Sequence, residues 1–302
     1  MLLLFLDGVG LGADDPEVNP FVRASTPALT ALAGARWTDA LAGGVVAGAV
    51  RAAGALDATF GHAQLPQSAT GQTALLTGLD AVAAMGRPYG PWPGPTLTSL
   101  LDADGLFHDA ARVGGGVLAN AYSRRYLDAL ASPVGAHRRW RPPASVVAAR
   151  AAGVRLRGED DARGGAAVAA DLGFEGGPIL DAAAIDAWAR GLVAIARDHP
   201  LTYLDAWITD RVGHRADLPL ATALVVRVDA VLEALASALD GVTLVVVSDH
   251  GNLEDASGPR HTRSKVPLVA VGPAARRFDG ARDLRDVRPA LRRAWGLADA
   301  SG

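Results

Sequence analysis

The chain has 302 residues, 50% of them hydrophobic and 20% charged, which is enough to bury the core of one large domain or two smaller ones. Its 29 basic and 32 acidic residues leave a formal charge of -3, so duplex nucleic acid is not expected as a partner. The apolar fraction excludes intrinsic disorder. The absence of cysteine excludes disulfides, iron–sulfur clusters, zinc fingers and thiol nucleophiles, so a bound metal would need oxygen and imidazole ligands.

The sequence lacks the pattern of a targeting or membrane-spanning segment. Residues 1–6 are apolar but too few for the hydrophobic part of a signal peptide. The longest weakly polar stretch, residues 41–50, is well below the ~20 residues that cross a bilayer. We therefore expect a cytoplasmic protein without a membrane partner.

Short runs of leucine and β-branched residues predict buried strands of a parallel sheet. In chain order they are residues 2–6, 116–120, 201–208, 242–248 and 266–271. Thr26 and Pro27 open one helix between them, as its N-cap and first residue. Asp181 opens a second helix, which runs to about His199, and residues 218–239 form a third. This alternation predicts an α/β fold, with a mostly parallel sheet and helices on both faces.

Residues 122–178 interrupt the alternation, because they lack a clear buried strand and are rich in arginine. We predict that they form a small inserted cap on a catalytic core made of residues 1–121 and 179–302. A solvated helical excursion is the alternative interpretation.

Acidic and histidine side chains stand where the predicted strands end or, in one case, begin. They are Asp7, Asp210, His214, Asp249, His250 and His261. Taken one at a time, each of these residues could be structural, for example an N-cap aspartate or a packed histidine. However, the carboxyl ends of parallel strands are where ligands bind in α/β sheets. Carboxylate oxygen and imidazole nitrogen are ligands that Zn²⁺ and Mn²⁺ accept. Their joint placement therefore favours a metal site.

Residues 65–78 are typical of a loop that leads into a short helix, with Ser68 at or near the helix N-terminus. The free N–H groups of a helix N-terminus favour an anionic oxygen or a phosphate. A serine hydroxyl becomes a good nucleophile when a base or a metal removes its proton. Ser68 is therefore a candidate nucleophile, and a structural N-cap is the alternative.

Together these residues resemble the alkaline phosphatase superfamily, in particular its branch of cofactor-independent phosphoglycerate mutase and phosphopentomutase. The matching segments are residues 7–8, 68–78, 210–214, 249–252 and 261–262. The resemblance implies an alkaline-phosphatase-like core and two divalent metal ions, Mn²⁺ or Zn²⁺. The first ion would be bound by Asp210, His214 and His261. The second would be bound by Asp7, Asp249 and His250, and Ser68 would be the nucleophile that touches both ions.

The resemblance implies that Ser68 attacks the phosphoryl group of a small phosphorylated or phosphonate metabolite and becomes a phosphoserine. Water or a second hydroxyl of the substrate would then accept the phosphoryl group. Guanidinium groups suit bidentate recognition of phosphate or carboxylate. The candidates in the predicted cap are Arg124, Arg125, Arg138, Arg139 and Arg141.

The sequence also departs from these mutases. Gln72 stands where both mutases carry histidine, and the large insert of phosphoglycerate mutase has no counterpart. The residues after Ser68 lack the proline and arginine of sulfatases, which excludes a formylglycine sulfatase. A mutase must shield its phosphoserine from water with a closing lid. Because the predicted cap is small, we favour a phosphatase, with a phosphomutase as the alternative.

Two further alternatives belong to other functional classes. The glycines of residues 8–12 imitate a dinucleotide-binding loop, although the third glycine comes one position too early. A dinucleotide-binding oxidoreductase is therefore a less favoured alternative. The other is a binding module in which metal ions only stabilise the fold, which would leave Ser68 without a role.

Overall fold

The computed structural model describes residues 1–41, 43–132, 140–174 and 181–298. At its centre, a seven-stranded sheet has the strand order β2-β3-β9-β8-β1-β7-β4. A two-stranded parallel ribbon, β5 with β6, lies apart from it. The strands are β1 (Leu2–Leu6), β2 (Val46–Ala47), β3 (Arg51–Leu56), β4 (Gly116–Leu118), β5 (Ala121–Tyr122), β6 (Arg157–Gly158), β7 (Leu201–Ala206), β8 (Leu244–Val247) and β9 (Val266–Val271).

Strand β1 is the centre of the parallel part of the sheet. It pairs in parallel with β7 on one side and β8 on the other, and β7 pairs in parallel with β4. All five side chains of β1 are fully buried. Leu2, Leu4 and Leu6 pack on one face of the sheet, and Leu3 and Phe5 pack on the other. A strand covered on both faces needs such a continuous apolar run, because alternate residues point to opposite sides.

The five strands expected from sequence are present, but the direction of the last was predicted wrongly. Strand β9 runs antiparallel to β8, and β3 and β2 continue the sheet in antiparallel pairs. Strands β2 and β3 were not predicted from the sequence. The β3 sequence, rich in alanine and glycine, carries little of the β-branched signal that marks strands. The sheet is therefore parallel over β8, β1, β7 and β4 and antiparallel at its other edge.

Helices cover both faces of the sheet. The described helices are α1 (Pro20–Arg23), α2 (Pro27–Ala33), α3 (Ser68–Thr77), α4 (Ala81–Met85), α5 (Pro95–Ala103), α6 (Leu106–Arg112), α7 (Arg124–Ala131), α8 (Ala144–Ala151), α9 (Glu159–Arg163), α10 (Ala182–Asp198), α11 (Ile208–Gly213), α12 (Leu218–Ala238) and α13 (Val287–Ala294). Short 3₁₀ turns lie at Asp39–Leu41, Ala275–Phe278 and Leu284–Asp286.

The three helices predicted from sequence are α2, α10 and α12. The side chain of Asp181 caps α10 by accepting a hydrogen bond from the amide of Ala184. Asp217 caps α12 in the same way through the amide of Leu220. Apolar side chains of α1, α2, α10 and α12 pack on the face of Leu2, and those of α3, α5, α6, α8 and α13 pack on the face of Leu3. The predicted α/β fold with two helical layers is confirmed.

Helix α8 comes from the segment predicted as a cap, yet it packs within the second helical layer. Its Val146 and Ala149 are fully buried in the same cluster as Leu97 of α5. The ribbon β5–β6 and helices α7 and α9 come from the same segment. The boundaries at residues 121 and 179 stay a prediction.

Within the described ranges, no helix has both the length and the apolar composition that crossing a bilayer requires.

Candidate metal centre

Three parallel strands end at the edge of the sheet that carries the predicted site. Asp7 directly follows β1, and Asp249 and His250 lie just past the end of β8. The chain leaves β7 into the short helix α11, which contains Asp210 in its first turn and ends at His214. His261 lies in the loop before β9. The structure therefore brings all six predicted side chains together, in two groups of three.

In the first group, the ligand atoms of Asp210, His214 and His261 lie within 4.8 Å of one another. Nε2 of His214 lies 3.2 Å from Oδ2 of Asp210, and Nε2 of His261 lies 3.7 Å from Oδ1. The two Nε2 atoms are 3.3 Å apart. Two imidazole nitrogens and both oxygens of one carboxylate thus converge on one point.

The opposite ring nitrogens of these histidines are held by the backbone. Nδ1 of His214 lies 2.8 Å from the carbonyl oxygen of Pro259, and Nδ1 of His261 lies 2.8 Å from that of Pro66. A carbonyl oxygen only accepts, so Nδ1 carries a proton in both rings. In a neutral imidazole this leaves the lone pair on Nε2, which is the arrangement that supports a metal-binding histidine. The donor set of the first group therefore fits a divalent metal ion.

The pKa values of the three side chains in the first group favour a positive charge between them. The hydrogen bond with Asp210 raises the pKa of His214 to about 9. Burial opposes ionisation of Asp210, but the hydrogen bond with His214 lowers its pKa to about 2. Burial lowers the pKa of His261 to about 4, so this ring stays neutral at pH 7. A positive charge therefore belongs beside the Asp210 carboxylate, and a bound metal ion would replace the proton of His214.

In the second group, the ligand atoms of Asp7, Asp249 and His250 also lie within 4.8 Å of one another. Nε2 of His250 is 3.4 Å from Oδ1 of Asp7 and 3.6 Å from Oδ2 of Asp249. Burial raises the pKa of both carboxyl groups well above their ordinary range, and the charge of Asp249 raises that of Asp7 further. Two carboxylates this close together, one of them fully buried, are stabilised as anions by a cation between them. This donor set fits a divalent metal ion as well.

Ser68 is the first residue of α3, and its side chain is buried. Its hydroxyl oxygen lies 2.9 Å from Nε2 of His250. With Asp7 and Asp210 it lines a cleft of about 500 Å³. Ser68 therefore contacts the second group through His250. The cleft that it lines also exposes Asp7 of the second group and Asp210 of the first.

Gln72 lies one turn along α3 from Ser68. Its side-chain amide is 3.3 Å from Oδ2 of Asp7 and 3.3 Å from Oδ2 of Asp249. The amide can donate one hydrogen to each oxygen and so hold the two carboxylates in place. The residue that departs from the mutase pattern thus links the two acidic members of the second group.

Two residues that the sequence analysis did not assign support the first group. The amide of Asn252 donates to Oδ1 of Asp210 at 2.7 Å. Glu254 is buried, and its Oε2 accepts from the backbone amides of Asn252 at 2.7 Å and Gly10 at 2.9 Å. Its other oxygen accepts from the hydroxyl of Thr262. Glu254 therefore joins the loops that follow β1 and β8 to the loop that leads into β9.

Two of the glycines in residues 8–12 are explained by this carboxylate. A Cβ atom at Gly10 would overlap the carboxylate of Glu254, and one at Gly12 would lie 2.8 Å from its Cγ. The chain does not enter a helix after this loop, since α1 begins only at Pro20. A dinucleotide-binding loop requires a helix directly after the strand. Gly10 and Gly12 serve close packing around Glu254, and Gly8 serves close packing against Asp210, which removes the basis of the oxidoreductase alternative.

Aromatic residues form much of the cleft wall. They are Trp92, Tyr122, Tyr126, Trp140 and Trp207. Arg141 lines the cleft too, and its guanidinium lies 5.8 Å from the ring centre of Trp92. Arg125 lies 5.5 Å from the ring centre of Trp140, and Arg124 is exposed. Arg138 and Arg139 lie outside the described residues, so the proposed role of the arginines stays a prediction.

The sequence is similar to known proteins over part of its length. Residues 181–298 match the family model of the metalloenzyme superfamily. The phosphopentomutase of Methylobacterium nodulans is 39% identical over 93 residues, which cover 30% of this chain and 23% of that protein. The 2,3-bisphosphoglycerate-independent phosphoglycerate mutase of Laribacter hongkongensis is 32% identical over 97 residues, 29% of this chain and 19% of that protein. The matched segments thus span about a quarter or less of these curated relatives.

The fold is similar to solved structures over the whole chain. The PH0037 protein from Pyrococcus horikoshii is 16% identical with a TM-score of 0.56, covering 100% of this chain and 98% of the other. The alkaline phosphatase from the Antarctic bacterium TAB5 is 12% identical with a TM-score of 0.51, covering 99% and 98%. The family model and the relatives confirm, over part of the chain, its resemblance to the branch of phosphopentomutase and phosphoglycerate mutase, and the solved structures show that its fold is that of alkaline phosphatases.

Proposed function

We propose that this protein hydrolyses the phosphate ester, or the phosphonate, of a small metabolite through a phosphoserine at Ser68. The observation that carries the proposal is the position of the Ser68 hydroxyl, 2.9 Å from Nε2 of His250 and in the same cleft as Asp7 and Asp210. A nucleophile beside two groups of metal-type ligands is the arrangement that two-metal phosphoryl transfer requires.

The metal ions would be held by the two groups already described. Asp210, His214 and His261 would bind one ion. Asp7, Asp249 and His250 would bind the other. Oxygen and imidazole ligands suit both Mn²⁺ and Zn²⁺. Bound ions would supply positive charge for the phosphoryl oxygens and would favour the ionised form of the serine hydroxyl.

The chain contributes positioning and charge of its own. Ser68 opens α3, so the positive end of a ten-residue helix faces the point where a phosphoryl group would meet the hydroxyl. Gln72 fixes the two carboxylates of the second group. Arg141, at the cleft wall, is placed to bind an anionic group of the substrate. These residues would orient the phosphoryl group for in-line attack by Ser68.

A phosphomutase is the second candidate function. It is favoured by the similarity of one segment to phosphopentomutases. In such an enzyme the phosphoserine would pass its phosphoryl group back to another hydroxyl of the substrate, and water would have to be kept out. We favour hydrolysis because the described elements of the predicted cap, α7, α9 and the ribbon β5–β6, are short.

The test is a substrate screen with metal-loaded protein. Phosphate monoesters, phosphodiesters and phosphonates would be incubated with protein loaded with Mn²⁺ or Zn²⁺, and ³¹P NMR would follow free phosphate and isomerised product. Hydrolysis predicts free phosphate that depends on Ser68, with Ser99→Ala, an exposed serine of α5, as the matched control. Isomerised product without free phosphate would favour the mutase. Bound metal without turnover of any ester would favour the binding module.

A further inference from the structure

The inner wall of the cleft contains a buried carboxylate that the proposed metal groups do not use. Asp205 lies near the end of β7 and is only 3% exposed, yet it lines the cleft. Its Oδ2 accepts a hydrogen bond from the hydroxyl of Ser145. Its Oδ1 is buried and has no hydrogen-bond partner among the described residues. One oxygen of this carboxylate is therefore free to accept a hydrogen bond.

Two tyrosines offer further oxygen atoms in the same place. Tyr122 and Tyr126 line the cleft with their rings stacked 5.1 Å apart. Both hydroxyl oxygens are buried and, within the described part of the chain, make no hydrogen bond. Burial raises the pKa of both tyrosines, and the nearby charge of Asp205 raises them further. Three oxygen atoms on residues that line the same cleft thus lack hydrogen-bond partners among the described residues.

The surroundings hold Asp205 in place without neutralising it. The side chain of Asn120 donates to the carbonyl of Asp205 at 2.8 Å and accepts from its amide at 2.9 Å. These two bonds fix the backbone of Asp205, and the hydroxyl of Ser145 is the described partner of its carboxylate. Among the described ion pairs none includes Asp205. A buried carboxylate needs a cation or strong donors to remain ionised.

We propose that Asp205, Tyr122 and Tyr126 bind a primary ammonium group of the substrate while its phosphate lies at Ser68. An ammonium group has three N–H donors and no acceptor, which matches three partnerless oxygens, one of them charged. The aromatic walls of the cleft also favour a cation. The substrate class is then a phosphate ester of a small amino alcohol. This inference rests on the proposed phosphoryl transfer for the other end of the substrate.

Three esters with equally long chains test the proposal: 2-aminoethyl, 2-hydroxyethyl and propyl phosphate. For metal-loaded wild type we expect kcat/KM for the amine at least tenfold above the other two. Asp205→Asn keeps the shape and an acceptor for Ser145 but removes the charge. It should lower kcat/KM at least tenfold for the amine and less than threefold for the neutral esters. Asp198→Asn, an exposed aspartate of α10, is the matched control.

Equal kcat/KM for the three esters, a preference for the hydroxyl ester, or an equal loss on all of them in Asp205→Asn would overturn the proposal. If Asp205→Asn does not fold, the double variant Tyr122→Phe with Tyr126→Phe replaces it and should reduce the preference for the amine at least threefold. An unchanged preference in that variant would also overturn the proposal.

A failure of the proposed function is recognised separately, by the absence of turnover with all three esters and with 4-nitrophenyl phosphate. Isothermal titration calorimetry then tests the ammonium site without any need for turnover. 2-Aminoethyl phosphate should bind at least tenfold more tightly than 2-hydroxyethyl phosphate to wild type, and equally to Asp205→Asn. Equal binding of the two esters to wild type would reject the ammonium site.

Discussion

The hydroxyl oxygen of Ser68 lies 2.9 Å from Nε2 of His250, and the same nitrogen faces the carboxylates of Asp7 and Asp249. The candidate nucleophile is therefore in direct contact with one of the two ligand groups. This contact depends on the start of α3, which places Ser68 against the loop that follows β8.

Ser68→Ala tests the nucleophile. We expect turnover to fall on the order of 10³-fold or more, because the group that would form the covalent intermediate is lost. Metal content should not change, since the aspartate and histidine ligands remain. The measurements are initial rates and metal-to-protein ratios, with Ser99→Ala as control. Activity like that of wild type would remove Ser68 from the mechanism.

Asp249→Asn tests the second ligand group. Replacing this fully buried carboxylate by a neutral amide removes charge from the group of Asp7 and His250, so one of two metal ions should be lost. Elemental analysis after dialysis against a weak chelator should give about half the metal content of wild type. The control is Asp186→Asn, an exposed residue of α10. Full occupancy of both sites would contradict the assigned ligands.

Glu254→Gln tests the link between the loops. The amide oxygen can still accept from Gly10 and Asn252, but the negative charge is lost and an NH₂ group replaces the oxygen that accepts from Thr262. We expect a loss of about 1–3 kcal/mol in the free energy of unfolding. The midpoint of chemical denaturation measures it, with the exposed Glu233→Gln as control. An unchanged midpoint would show that these bonds contribute nothing.

Asp205 makes stability depend on pH. Burial raises its pKa from the ordinary 3.8 to about 6, so its contribution is complete below pH 3.8 and is lost as the pH rises through about 6. The loss amounts to about 3 kcal/mol. Asp205→Asn cannot ionise, so its free energy of unfolding relative to wild type should rise between pH 4 and pH 7. Denaturation at several pH values measures this difference, and a constant difference would contradict the prediction.

An ion network whose residues do not line the cleft holds α6 against α13. Asp109 is fully buried and pairs with Arg112 and Arg288, each at 2.6 Å, and with Arg292. Asp109→Asn removes the negative charge that lies between these arginines. We expect the free energy of unfolding to fall by about 3–5 kcal/mol. Thermal unfolding should show the loss, while the folded protein keeps its activity. The exposed Asp102→Asn is the control, and an equal effect there would refute the network.

Much of the site could be predicted because its residues follow or precede apolar strands. Asp7, Asp249 and His250 stand directly beyond runs that can only be buried strands, and the edge they share follows from the α/β fold. Their roles as ligands stay predictions. Glu254 and Asp205 could not be found in this way. Their importance comes from burial and from partners distant in sequence, which no local pattern encodes.

The limits of the fold prediction have similar causes. Strand β3 has alanine and glycine where a strand signal needs β-branched residues. Helix α8 is rich in alanine, so its sequence fits a cap helix and a core helix equally well, and only its packing decides. Local patterns predicted the elements with strong apolar periodicity and missed those defined by tertiary contacts.

The reversed direction of β9 determines which end of that strand meets the metal centre. His261 precedes β9, so in an antiparallel strand it lies at the edge where the parallel strands finish. A parallel β9 of the same six residues would begin about 20 Å away, at the opposite edge of the sheet. The reversed strand thus begins beside the first ligand group, and a short loop is enough to hold His261 there.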